Sequence, residues 1–117
     1  MQRQLGLRQI LPVILCVISL SACDNANQPA PRKLQPQDPD LATLYQRSCF
    51  ACHGTGNPTA PQTGDLHNWA PRMAQGMDTM IDHVVEGYRG MPPMGLCMDC
   101  SAEDFERLIE FMATGAE

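Results

Sequence analysis

The chain has 117 residues, with eight Lys and Arg against 13 Asp and Glu, a formal net charge of −5. This acidic balance argues against nucleic acid as a partner, because phosphate backbones are bound by clustered basic side chains. The length suffices for one small domain, whose core would be marginal without a disulfide, a metal or a cofactor. Six cysteines and eight methionines are available as ligands or cross-links.

The N-terminal segment, residues 1–22, has the pattern of a secretory signal peptide. Arg3 and Arg8 precede an apolar run over residues 10–20 that is too short to span a bilayer comfortably. The run ends in Leu-Ser-Ala before Cys23, which resembles the lipobox of bacterial lipoproteins, where the cysteine becomes the acylated N-terminus. We therefore expect export, with Cys23 lipidated. The alternative is an uncleaved N-terminal helix that holds the protein in the membrane.

The charge and the lipid together predict a location. Loss of Arg3 and Arg8 with the signal peptide leaves six basic against 13 acidic residues, a formal charge of −7. Anionic lipid surfaces should repel such a domain, so the acyl anchor would hold it at the membrane. Asp24 directly follows Cys23, which resembles the inner-membrane retention signal of enteric lipoproteins. We expect a protein on the periplasmic side of the inner membrane.

Residues 24–37 form a predicted tether. They are polar, carry three prolines and offer almost nothing to bury, which is typical of a semi-rigid, largely disordered linker. Fourteen extended residues would reach roughly 40 Å. The expected organisation is a signal peptide at 1–22, a lipidated cysteine and tether at 23–37, and a folded domain at 38–117.

The folded domain begins with a predicted helix that leads into a haem-attachment motif. The Asp-Pro pair at residues 38–39 is typical of a helix N-terminus, and the helix should end at Gly54. Its last residues, CFACH, give Cys49, Cys52 and His53 the C-x-x-C-H spacing of c-type haem attachment. Two such thiols add to the haem vinyl groups, and the adjoining imidazole binds iron. One covalently bound haem c is therefore predicted.

Four cysteines remain after the signal peptide and Cys23, and a Cys₄ zinc site is an alternative use for them. The 44 residues between Cys52 and Cys97 exceed the roughly 15–20 of common zinc spacings. An oxidising compartment also favours disulfides over free thiols. For Cys97 and Cys100 we expect a structural disulfide, because a redox-active dithiol is typically found in a βαβ context.

The middle of the domain is predicted as a loop followed by a helix. Residues 55–76 are rich in Gly and Pro, and a loop of this length is expected to wrap the haem. An amphipathic helix should follow and end at Gly87 or Gly90. Its apolar face would consist of Met77, Met80, Ile81, Val84 and Tyr88.

The last helix has clear start and stop signals. Ser101 and Asp104 form a predicted capping box with Asp in place of Glu, and the helix should end at Gly115. Its expected core face is Phe105, Leu108, Ile109 and Met112. No segment has the alternation typical of a strand. The predicted fold class is therefore all-α.

Several short motifs occur together in residues 38–117. They are the C-x-x-C-H run, Gly64-Asp65, Trp69-Ala70-Pro71-Arg72, Met91-Pro92-Pro93 and Cys97-Met98-Asp99-Cys100. This combination resembles the class I cytochromes c, and the cytochrome c5 group in particular. The resemblance implies a small mono-haem fold in which N- and C-terminal helices cross beside the haem, with His and Met as axial ligands.

The second axial ligand is sought among the methionines. Met91 follows a helix end and precedes two prolines whose fixed φ angles hold the backbone extended, and it matches the family's ligand position. Met94, in the same loop, is the alternative. The methionines expected in the core are Met77, Met80 and Met112. The histidines expected to face solvent are His67 and His83.

Three further residues are expected around the haem. Pro61 would offer its backbone carbonyl to the Nδ1–H of His53, fixing the imidazole tautomer. The family resemblance implies that Trp69 and Arg72 lie near the haem propionates. The alternative makes Trp69 the largest core residue and Arg72 a surface cation.

The functional prediction is a lipid-anchored, periplasmic one-electron carrier of a respiratory chain. His53 and Met91 would fill both axial positions, which argues against an enzyme and against a small-molecule substrate. The expected partners are redox proteins. The alternatives are a haem-bearing accessory subunit or sensor of a membrane redox complex, and an enzyme, either a peroxidase or a dithiol oxidoreductase using Cys97 and Cys100.

Overall fold

Helices account for the regular structure of residues 34–116, the part of the chain that this computed structural model describes. They are α1 (Pro39–Leu44), a π-helical turn (Tyr45–Cys49), α2 (Phe50–His53), α3 (Leu66–Met73), α4 (Met77–Glu86), a 3₁₀ turn (Pro93–Leu96) and α5 (Ala102–Thr114). Within these residues the only β pairing is an isolated bridge between Tyr88 and Met91. The all-α prediction is confirmed. The predicted signal peptide, Cys23 and the tether up to residue 33 lie outside the described residues.

The α1 helix, the π turn and α2 follow one another without a break, as the first predicted helix required. The Asp38 side chain accepts hydrogen bonds from the backbone N–H groups of Asp40 and Leu41, which satisfies two unpaired donors at the helix start. Arg107 of α5 forms an ion pair with Asp38 at 2.9 Å. The helix ends at Gly54, so its last turn carries the C-x-x-C-H motif.

The α5 helix also follows its prediction. Ser101 and Asp104 form the capping box, with the Asp104 N–H donating to the Ser101 hydroxyl and the Ser101 N–H donating to the Asp104 carboxylate. Gly115 ends the helix with a left-handed φ of 74°. The expected core residues are all buried: Phe105, Leu108, Ile109 and Met112. The α5 helix contacts α1, α3 and α4, which places it at the centre of the packing.

One helix was missed by the sequence analysis, because α3 lies inside the segment predicted as a loop. Asp65 caps it by accepting from the Asn68 backbone N–H, and Trp69 is buried on its inner face. Pro71 within the helix removes one backbone donor, which makes the segment resemble a loop in sequence. The local signal that was available is an Asp N-cap followed by apolar residues at helical spacing.

The α4 helix ends before the last residue of its predicted apolar face. The helix stops at Gly87, whose φ of 84° and close approach to the Met91 carbonyl, 2.9 Å from where a Cβ would lie, both exclude a side chain. Tyr88 is therefore outside the helix and 39% exposed, so its predicted place on the buried face is wrong. Its ring stacks on the His83 ring, with centroids 3.9 Å apart.

The core continues beyond the predicted domain boundary. Tyr45 is fully buried and makes edge-to-face contacts with the rings of Phe50 and Phe111. Leu34 packs against this core and Pro36 is buried, so both lie on the domain side of the boundary expected at residue 38. Across residues 34–116, none of the helices has the length and apolar character needed to cross a membrane.

Candidate haem site

A large cavity lies between α2, α3, α4, α5 and the segment from Tyr88 to Leu96. Its volume is about 790 Å³, within the range of small-molecule and cofactor sites, about 300–1,000 Å³. The lining includes the predicted haem-binding residues from every part of the domain: Cys49, Cys52, His53, Pro61, Trp69, Arg72 and Met91. Folding therefore brings residues that are up to 42 positions apart onto one cavity.

His53 supplies a metal-binding nitrogen to this cavity. Its side chain is 92% buried, and its Nδ1 lies 2.8 Å from the Pro61 carbonyl oxygen. A carbonyl only accepts, so Nδ1 carries the proton and Nε2 keeps its lone pair. Burial holds the pKa of His53 below its ordinary value, while the Pro61 hydrogen bond opposes that shift. The neutral imidazole is the form that binds a metal.

Cys49 and Cys52 line the same cavity as free cysteines, outside any disulfide. Burial, together with the neighbouring Cys52, raises the pKa of the Cys49 thiol to about 11. An unreacted Cys49 is thus a neutral, largely apolar group at neutral pH. Two free thiols and a neutral imidazole around a cavity of cofactor size fit a covalently attached haem.

The structure distinguishes the two candidate methionines. Among the described residues, Met91 lines the large cavity and Met94 does not. The Met91 backbone is held at both polar groups, because its N–H donates to the Tyr88 carbonyl at 2.9 Å and its carbonyl accepts from the Tyr88 N–H at 3.1 Å. The two residues between them, Arg89 and Gly90, both have positive φ, which is the pattern of a type I′ turn. Met80 and Met112 also reach the cavity from their helices, and both are buried as expected.

The turn after Met91 has an unusual backbone. Met94, Gly95 and Leu96 all have left-handed φ angles between 54° and 63°. A non-glycine residue in this region costs roughly 1–2 kcal/mol. Gly95 is buried, and a Cβ there would lie 3.0 Å from the Met91 Cε. The turn therefore brings its backbone against the Met91 side chain, and the close approach and the positive φ both favour a glycine at position 95.

A cross-linked segment follows this turn and holds it in place. Cys97 and Cys100 are joined in a disulfide with their Cα atoms 5.4 Å apart. The Cys97 N–H donates to the Met94 carbonyl, which closes the turn. Arg47, two residues before the haem-attachment motif, donates to both carboxylate oxygens of Asp99 at 2.7 Å. These contacts join the loop that carries Met91 to the helix that carries the two cysteines.

Trp69 and Arg72 both line the cavity, on the side of α3. The Trp69 ring is 97% buried with its centroid 5.8 Å from that of His53, and its indole N–H donates to the Gln62 carbonyl at 2.8 Å. Its polar atom is thus satisfied by the backbone. Arg72 donates to the Asn68 carbonyl one turn earlier. Arg72 and Arg89 are the charged cations of the lining, and none of the described residues that line the cavity is acidic.

The two histidines expected to face solvent behave differently. His67 is exposed, as expected. His83 is half-buried against Tyr88 and lines the cavity, so its assignment as a solvent-facing residue is wrong. Helical periodicity puts His83 among the polar positions of α4. In the folded chain the Tyr88 ring stacks on the His83 ring and covers part of it. Gln62 and Thr63 also contribute to the site but were not predicted, because their contacts arise from loop folding and have no periodic signal in the sequence.

The zinc alternative finds no support in the described residues. Between residues 34 and 116, no three or more His, Cys, Asp or Glu side chains are grouped closely enough to hold a metal ion. The disulfide takes Cys97 and Cys100 out of a Cys₄ set.

Comparison with known protein families and proteins agrees with this site. Residues 36–112 match the family model described as cytochrome c oxidase, cbb3-type, subunit III. Cytochrome c5 of Azotobacter vinelandii is 39% identical over 76 residues, which are 63% of this chain and 88% of that protein. Cytochrome c5 of Ectopseudomonas mendocina is 36% identical over 72 residues, 60% of this chain and 83% of that protein.

A second group of relatives matches over a shorter stretch. Cytochrome c-555 of Chlorobaculum tepidum is 48% identical over 50 residues, 43% of this chain, and the match spans 46% of its own length. Among solved structures, a chain from the crystal structure of an electron transfer complex of nitrite reductase with cytochrome c is 34% identical. Its TM-score is 0.58, and the alignment covers 68% of this chain and 98% of that one.

Proposed function

Because the chain belongs to the class I cytochrome c family, with homologues among cytochromes c5 and c-555, we propose that it is a lipid-anchored electron carrier of a respiratory chain. It is a mono-haem electron-transfer protein with covalently bound haem c. The observation that carries the proposal is one cavity lined by Cys49, Cys52, His53 and Met91.

Different residues of the cavity have different roles in holding the cofactor. Cys49 and Cys52 would hold it through thioether bonds, and His53 and Met91 would supply a nitrogen and a sulfur ligand to its iron. When bound, haem c supplies an iron that alternates between Fe(III) and Fe(II) by transfer of one electron. Pro61 holds the proton of His53 on Nδ1, which directs Nε2 to the metal. The Met91 thioether favours Fe(II) and so raises the reduction potential.

The rest of the lining shapes the environment of the redox centre. Buried Val84, Ile109 and Met112 present apolar surface to the cavity. An apolar, water-poor environment disfavours the more highly charged oxidised state and adds to the effect of the thioether. If His53 and Met91 both bind the iron, they would leave no coordination site for oxygen or peroxide. The arrangement suits outer-sphere electron transfer.

The carrier function predicts how the purified holoprotein responds to external ligands. We expect a reversible one-electron wave in voltammetry and an unchanged absorption spectrum when the ferrous protein is exposed to carbon monoxide. The physical reason is that His53 and Met91 would both bind the iron and leave no site for an external ligand. A Met91→Ala variant is the positive control, since it opens one position and should bind carbon monoxide. Binding by the wild-type protein would contradict the carrier proposal and favour a sensor or a peroxidase.

The membrane anchor is proposed from residues that lie outside the described part of the chain. Cys23 stands at the lipobox position, and Asp24 supports retention at the inner membrane. Because Leu34 packs on the domain, the part of the predicted tether that precedes it is residues 24–33, which would reach about 30 Å if fully extended. Confinement within this distance raises the effective concentration of the haem domain near a membrane-bound redox partner.

The anchor is tested by Cys23→Ser. This variant should lose labelling by palmitate and leave the membrane fraction, while the absorption spectrum of the exported haem domain stays unchanged because the cavity is untouched. Electron transfer to a membrane-bound partner should become slower, since the tether no longer confines the domain. A wild-type protein that is unlabelled or soluble in the periplasm would contradict the anchor. A labelled protein found in the outer membrane would contradict the role of Asp24 alone.

A second candidate function is that of a haem-bearing subunit of a membrane redox complex. The observation that favours it is the match of residues 36–112 to a family described as an oxidase subunit. The two candidate functions predict different behaviour during purification of the membrane complex. A subunit would remain with its complex in a fixed ratio through detergent extraction and gel filtration, whereas a carrier would separate.

A further inference from the structure

The side chain of Gln62 is the most heavily bonded polar group beside the haem cavity. Its amide nitrogen lies 3.0 Å from the Cys52 carbonyl, 2.8 Å from that of Asn57 and 2.9 Å from that of Ala60. Its amide oxygen accepts from the Gly56 N–H at 2.6 Å. One side chain thus joins the end of the C-x-x-C-H motif to the loop that follows it.

The backbone around Gln62 is equally well held. Its carbonyl accepts from the indole N–H of Trp69 at 2.8 Å. The next residue, Thr63, donates two hydrogen bonds to the His53 carbonyl, from its backbone N–H at 2.7 Å and from its hydroxyl at 3.0 Å. The Thr63 hydroxyl is also within 2.8 Å of the buried Tyr45 hydroxyl. The residues on both sides of Pro61 are therefore fixed, Ala60 by the Gln62 amide and Gln62 by Trp69.

These contacts fix the residues on either side of the Pro61 carbonyl, which lies 2.8 Å from the Nδ1 of His53. Proline cannot donate a backbone hydrogen bond, so Pro61 itself adds nothing to fix the loop through its nitrogen. The position of its carbonyl depends on its neighbours. The Gln62 amide connects the Cys52 carbonyl, at the end of the haem-attachment motif, to the loop carbonyls that precede Pro61.

We propose that Gln62 is a positioning residue for the proximal ligand His53, acting through the Pro61 carbonyl to set the strength of the Nδ1–H···O hydrogen bond. This inference rests on the proposed role of His53 as an iron ligand. A strong bond at Nδ1 makes the imidazole a better electron donor at Nε2, which favours Fe(III). Gln62 would therefore hold the reduction potential below the value that a loosely held imidazole would give.

The test compares the holoprotein with Gln62→Met, which keeps the length of the side chain and removes both polar groups. We expect a higher reduction potential and, by nuclear magnetic resonance, exchange of the His53 Nδ1 proton faster by about fivefold, the factor for loss of one ordinary hydrogen bond. Gln62→Lys restores a donor to the three carbonyls and should return the exchange rate most of the way to wild type. The rescue is judged on the exchange rate, because the added positive charge would by itself raise the potential. Thermal unfolding of each variant is measured alongside.

The matched control is Thr55→Val, which removes a side-chain hydrogen bond to the Ala51 carbonyl in the same region without touching the cavity. It should change neither the potential nor the exchange rate. If Gln62→Met unfolds more easily while the potential and the exchange rate stay at wild type, Gln62 is only a structural residue and the proposal fails. If Gln62→Met does not fold, Gln62→Lys and Gln62→Glu provide the same comparison, because Glu keeps the acceptor but lacks the donors.

Failure of the Gln62 inference can be distinguished from failure of the proposed carrier function. Carbon monoxide binding by the wild-type protein and the reversibility of its voltammetric wave test the carrier, and neither result requires a Gln62 variant. The exchange rate of the His53 Nδ1 proton tests the contact itself. A wild-type carrier with an unresponsive Gln62 would reject this inference alone.

Discussion

Replacing both Cys49 and Cys52 by alanine is expected to abolish covalent haem attachment and most of the cooperative fold. The haem cavity has a volume of about 790 Å³, and its walls include buried residues of α4 and α5. Empty apolar space costs about 24 cal/mol per Å³, so a third of this volume left empty would cost roughly 6 kcal/mol. That is comparable with the whole free energy of unfolding of a small domain, about 5–15 kcal/mol.

This expectation is measured with the pyridine haemochrome spectrum and with thermal unfolding followed by circular dichroism. The matched control is Cys97→Ser with Cys100→Ser, which also removes two cysteines but leaves the attachment motif intact. It should keep the haem, and loss of so short a disulfide loop should lower the free energy of unfolding by about 2 kcal/mol. A Cys49→Ala, Cys52→Ala protein that unfolds cooperatively without haem would overturn the prediction.

Met91→Ala is expected to remove the sulfur-to-iron charge-transfer absorption of the ferric protein and to lower the reduction potential. Met91 is the methionine of the Pro-rich loop that reaches the large cavity, and Tyr88 fixes its backbone on both sides. Loss of the thioether removes the donor that favours Fe(II). The potential should move within the range of about 0.8 V over which axial ligands tune haem iron.

Met94→Ala is the control for this second prediction. Met94 lies three residues further on and faces a small space beside α5, so its loss should leave the absorption and the potential close to wild type. The reverse result would transfer the ligand role to Met94. If neither variant changes the spectrum, the ligand is one of the helical methionines that line the cavity, Met80 or Met112.

The contrast between α5 and α3 shows why some helices could be predicted and one could not. The ends of α5 are specified by Ser101, Asp104 and Gly115, whose effects act through bonds within a few residues of the chain. The α3 helix has a cap as well, but Pro71 and the surrounding glycines and prolines weaken its local signal. It is stabilised by burial of Trp69, which depends on contacts with distant parts of the domain.

The amino-acid sequence by itself determined the helix that ends in the haem motif, the last helix, and the pairing of His53 with two cysteines, because these depend on spacing and on short-range hydrogen bonds. The sequence favoured Met91 over Met94, and in the tertiary structure Met91 but not Met94 lines the large cavity. Tertiary structure alone decided that Leu34 joins the core and that Gln62 spans the loop beside His53. The physical reason is that a backbone turn or a side-chain contact between separate segments has no periodicity, and its energy exists only once the chain has folded around the cavity.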